Sequence, residues 1–148
     1  MKTSSLISAF ILLCVISISI VAETSASAQK LVLVSASTSA VEPLSMLEIR
    51  QLYLGLSIIK HETRLVPYRN YSDKLLKQMF LQKVVFLSSK TYERQLLRRT
   101  FGTGSRRPKV FKNDSNLVNA LKRQRGALTI MWRSKAISTP GLVIVQEL

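Results

Sequence analysis

Two neighbouring features near the start of the chain constrain the fold more than anything else in it. Lys30-Leu31-Val32-Leu33-Val34-Ser35 is a short run of Leu and β-branched residues, too short for a stable helix and suited to a buried strand. After the small, polar loop of Ala36-Ser37-Thr38-Ser39-Ala40 comes Ser45-Met46-Leu47-Glu48. That is a capping box, in which the Ser hydroxyl accepts from a free helix N–H and the Glu reaches back to the Ser. Met46, Ile49, Leu52 and Tyr53 then fall on one helical face, and Gly55 is placed to end it. A buried strand feeding a capped, one-sided helix predicts an α/β domain.

The remaining pattern extends this. Arg64 to Tyr68 predicts a second strand, with Pro67 at an end or an edge. Ser72 is read as the N-cap of a helix turning Leu75, Leu76, Met79 and Phe80 inward. Ser88 or Ser89 opens another, with Tyr92, Leu96 and Leu97 on its core side, and residues 101–105 read as a flexible loop. Asn113 or Asp114 caps a helix holding Leu117, Val118 and Leu121, which Gly126 stops. Ala127 to Trp132 and Leu142 to Val145 predict two last strands, separated by Pro140-Gly141. The expected order is β-α-β-α-α-α-β-β: a small mixed sheet with flanking helices, as one domain.

Residues 1–28 read as an address. Met1-Lys2 is followed by an almost wholly apolar run from Leu6 to Ala22, and Ala26-Ser27-Ala28 has the small-x-small pattern of a cleavage site. Cleavage after Ala28 leaves a domain over residues 29–148, without a transmembrane segment, in the periplasm of a Gram-negative bacterium. The chain's one Cys, Cys14, lies inside the apolar run, so the exported domain would hold no disulfide. Hydrophobic residues make up 47% of the chain and charged ones 20%, which excludes a disordered tail and leaves enough apolar surface for a core.

Most chemistries are excluded by what is missing. His61 is the only imidazole, and no Ser or Cys sits in a nucleophile-elbow context. The acids show no D-x-D or E-x-x-H spacing, and Glu48 and Asp114 are already assigned to helix starts. No enzyme, metal site or cofactor is therefore expected.

What remains concerns anions. Lys and Arg number 22 against 8 Asp and Glu, a net charge of +14. Between Arg94 and Lys135 there are twelve basic residues and one acid, Asp114. Such an imbalance attracts phosphate, nucleic acid or an anionic surface. Nucleic acid is disfavoured, because few aromatics interleave with the cations. A more local feature is Arg69-Asn70-Tyr71-Ser72, between a strand and a helix, where an Arg, a Ser hydroxyl and free N–H groups meet.

Four stretches taken in order resemble a known family: Leu44 to Gly55, Leu65 to Ser72 with Phe80 after it, Gly102 to Pro108, and Gly126 to Ile130. They are similar to the helix, strand-to-helix turn, glycine loop and strand of phosphate-binding proteins of ABC phosphate transporters and their short exported relatives. The resemblance implies one lobe of a type 2 periplasmic binding protein. It implies phosphate or another oxyanion as ligand, weakly held by Arg69 and Ser72, with Ser37 and Thr38, near where a hinge would be, as further ligand-binding candidates. Ser72 is followed by Asp73-Lys74 where the family carries Gly-Thr. A protein partner or a second copy would complete the site of a lone lobe, in an accessory or sensor role. The alternative expectation is a non-catalytic interaction module that keeps the fold and docks its basic face on an acidic protein or the anionic envelope surface.

Overall fold

A computed structural model describes residues Gln29–Leu148; the expected signal peptide over residues 1–28, with Cys14, lies outside the described residues. Five strands form one mixed sheet in the order β5-β4-β6-β1-β7, where β1 is Leu31–Ala36, β4 Val66–Asn70, β5 Lys109–Phe111, β6 Ala127–Trp132 and β7 Leu142–Glu147. β4 runs parallel to both β5 and β6, whereas β1 is antiparallel to β6 and β7. The α/β class and the small mixed sheet are as the sequence predicts.

Helices cover both faces, which is why β1 is buried at all six positions. On one face Leu31, Leu33, Leu128 and Ile130 pack against α1 (Met46–Tyr53), α2 (Lys74–Phe80) with its π-helical extension Leu81–Val85, and α3 (Ser89–Thr103). Tyr53, Phe80 and Tyr92 meet there edge to face, with centroids 5.0 and 5.7 Å apart. On the other face Val32, Val34, Ala127 and Met131 pack against Leu117 and Leu121 of α4 (Asp114–Arg123) and Ala136 of α5 (Arg133–Ser138). The alternation along β1 thus supplies both cores.

The capping box forms as expected: the Ser45 N–H donates to Glu48 at 2.8 Å and the Glu48 N–H to the Ser45 hydroxyl at 3.2 Å. A hydrogen bond from Lys60, with the cap's own donors, holds the Glu48 carboxyl at about 2. Other boundaries differ from expectation. Met46, Leu75 and Leu97, expected inside, are exposed. The N-cap of α2 is Asp73, not Ser72; its carboxylate accepts from the Leu75 N–H at 2.7 Å. Residues 101–103 are the last turn of α3, not a loop, and Gly104 at φ 66° supplies the left-handed stop. The expected second strand is split at Leu65, its first part joining a hairpin of β2 (Ile59–Lys60) and β3 (Thr63–Arg64). β5 and α5 had no counterpart in the expected order.

Pro67 sits in β4, which is internal by strand order. The Val66 N–H already reaches the Gly126 carbonyl at 2.9 Å, while β5 begins only opposite Tyr68. On that side Pro67 has no strand beside it, so its missing N–H costs no ladder bond.

Candidate anion-binding cleft

The expected site residues are not brought together. Ser37 and Thr38 follow the C-terminal end of β1, which the antiparallel register with β6 puts beside the N-terminal ends of β6 and β4. Next to them the Ser39 hydroxyl accepts the Gly126 N–H at 2.7 Å. Arg69 and Ser72 lie at the other end of β4. The Ser72 hydroxyl donates to Asn70 Oδ1 at 2.7 Å, and that same oxygen accepts the Ser72 N–H. The small cavity beside Ser72, about 200 Å³, also holds Asp73, Asp114, Trp132 and Lys135. Asp114 already pairs with Lys135 at 3.0 Å, and Asp73 accepts the Trp132 indole N–H at 2.8 Å. Two carboxylates against one engaged ammonium make this surroundings poor for an anion.

Arg69 is turned inward, with its side chain only 4% exposed. Its Nη1 donates to Glu93 Oε1 at 2.5 Å and its Nε to the Pro108 carbonyl at 3.0 Å. The guanidinium lies 5.5 Å from the Tyr71 ring centroid and 5.6 Å from that of Tyr92. Burial pushes the hydroxyls of both tyrosines up, so neither ionises near neutrality and both rings stay neutral faces for the cation. The second Glu93 oxygen accepts from Arg107. Arg69 therefore ties α3 and the segment before β5 to β4.

That segment forms one wall of a cleft of about 640 Å³ at the N-terminal end of β4. Arg64 from β3, Arg106, Arg107 and Lys109 from the β5 segment, and Arg125 from the turn after α4 all line it, with Glu62 the only acid. Arg107 shares Glu93; Arg64, Arg106, Lys109 and Arg125 have no acidic partner among the described residues. Leu52, Leu65, Val66 and Pro67 give it an apolar floor. Gly126 makes the convergence possible. At φ 76°, a Cβ there would stand 2.4 Å from the Arg64 carbonyl oxygen, so only glycine lets the β2–β3 hairpin close on the turn carrying Arg125.

Arg106, Arg107, Lys109 and Arg125 were legible as members of the basic run, but Arg64 was not, since it comes far earlier in the chain. His61 lies in the β2–β3 turn and contacts Glu42 at 2.9 Å, an exposed pair. Among the described residues, no three of His, Cys, Asp and Glu are grouped as metal ligands, and no helix is long and apolar enough to cross a membrane. No protein-family model and no curated protein matches the chain.

Proposed function

We propose that the chain is an exported, non-catalytic domain that binds phosphate or another oxyanion, the class its resemblance to phosphate-binding proteins implies. The observation that carries the reading is the convergence of five cations from three separate segments on one cleft with a single acid. Guanidinium forks match the oxygens of phosphate and sulfate, and charge-assisted bonds to them are the strong kind. Water competes in an open cleft, so a monomer binds weakly, and a protein partner or second copy closing over the cleft strengthens binding. In this reading Arg69 is a positioning residue: through Glu93 and the Pro108 carbonyl it holds the wall bearing Arg106 and Arg107.

Thermal melting of the full chain in phosphate, sulfate and chloride at matched ionic strength tests this, because a ligand bound only by the native state raises Tm. A rise selective for phosphate or sulfate, lost in the Arg64→Ala/Arg125→Ala pair, is expected. An equal response to all three anions overturns the reading, since it reports only screening of a +14 charge. Loss in Ser72→Ala, with the cleft pair unaffected, would move the anion to the turn after β4.

A further inference from the structure

We propose that the outward face of α3 docks on an anionic lipid bilayer, with Leu97 and Phe101 entering the headgroup boundary. At about 100° per residue, Lys90, Arg94, Leu97, Arg98 and Phe101 fall on one stripe opposite the buried Tyr92 and Leu96. All five are exposed. Phe101 is 85% exposed and Leu97, one turn before it, 41%. Lys90, Arg94 and Arg98 have no acidic partner among the described residues. The only acid of α3, Glu93, is held by Arg69 and Arg107.

Two apolar side chains ringed by cations on a helix are the elements of an interfacial anchor, in which apolar burial and attraction to anionic lipid add. Protein hot spots are aromatic anchors in well-packed, desolvated pockets. Here the aromatic instead stands exposed on the face of the helix away from the core. Beside the stripe runs a shallow groove of about 390 Å³ lined by Thr91, Arg94, Gln95, Arg98, Arg99 and Thr103. Three guanidinium groups and the Thr91 hydroxyl there suit the phosphate of a lipid headgroup. The face shares no lining residue with the cleft, so it stands or falls separately from oxyanion binding.

The test uses the full chain carrying Phe101→Trp, with the emission of the single native Trp132 subtracted. Vesicles contain phosphatidylcholine alone or with phosphatidylglycerol, each with and without brominated acyl chains. Because the readout is the surroundings of position 101, the apolar run at the start of the chain does not move it. A blue shift and bromine quenching are expected only on the phosphatidylglycerol vesicles. Adding Arg94→Glu and Arg98→Glu should raise the lipid concentration for half-maximal quenching at position 101 about tenfold or more at low salt, with the melting temperature unchanged. Adding Arg64→Ala and Arg125→Ala instead should leave it as it was. Unquenched, solvent-like emission on the anionic vesicles overturns the proposal. So does equal quenching on neutral vesicles, or an equal loss from the cleft pair, which would place the lipid contact elsewhere.

Discussion

The two ends of β4 carry cations in opposite states. At its C-terminal end Arg69 is buried, paired with Glu93, bonded to the Pro108 carbonyl and set against two tyrosine rings. At the N-terminal end Arg64, Arg106, Lys109 and Arg125 face an open cleft without acidic partners among the described residues. The same residue type holds the fold together in one place and is left available in the other. An arginine at a strand-to-helix turn becomes a ligand only if nothing inside the protein satisfies it first, and here Glu93 and Pro108 do.

The largest expected effect comes at the cationic end and acts through the backbone. Gly126→Val puts a β-branched residue at φ 76° and a Cβ 2.4 Å from the Arg64 carbonyl oxygen. A cost of about 3 kcal/mol is expected in urea unfolding, together with loss of any anion response as Arg64 and Arg125 separate. Arg69→Met follows, at about 2 kcal/mol. Breaking a fully buried pair would cost more, but Glu93 is 37% exposed and keeps Arg107. What is lost is packing between the two rings and a donor to Pro108. A melt showing Arg69→Met as stable as the unaltered chain would remove the contrast between the ends. Arg125→Ala should change stability by under about 0.5 kcal/mol while weakening phosphate binding severalfold.

Elements whose signals are local were legible in the sequence. The capping box, the buried β1, the start of α3 at Ser88–Ser89 and Gly55 as a left-handed stop after α1 were all readable from neighbouring residues, whereas α4 ends at Arg123 with Gln124 as an extended cap, and Gly126 belongs to the turn beyond it. The β2–β3 hairpin was not, because its turn places His61 and Glu62 at φ 45° and 62°, where Asn-Gly is the usual signal. β5 and α5 are too short to show a period. Leu97 was misplaced because Leu96 and Leu97 stand about 100° apart around the helix, and only Leu96 reaches the core here. The cleft was half legible: the charge run pointed to it, but Arg64 joins only through the Gly126 turn, a tertiary contact. Arg69 was noticed for its position, and its partners Glu93 and Pro108 lie too far along the chain to be foreseen.

The smallest expected effect concerns acid and separates the two ends by what holds them. The hydrogen bond from Trp132, with those from the Leu75 and Leu76 amides, lowers the Asp73 carboxyl below its ordinary 3.8. A carboxylate with a depressed folded value contributes stability above its unfolded value and loses it as pH falls through the folded one. Asp73 should therefore brace the C-terminal end of β4 at neutral pH and release it only below 3.8. Trp132, the chain's single tryptophan, donates the bond and so reports its loss directly. A fluorescence change is expected below that pH, and it should vanish in Asp73→Asn, whose amide oxygen can still accept at the helix start but carries no titrating proton. If the change persisted in Asp73→Asn, acid would be acting on the whole domain, and the two ends of β4 would not differ in the way their charges suggest.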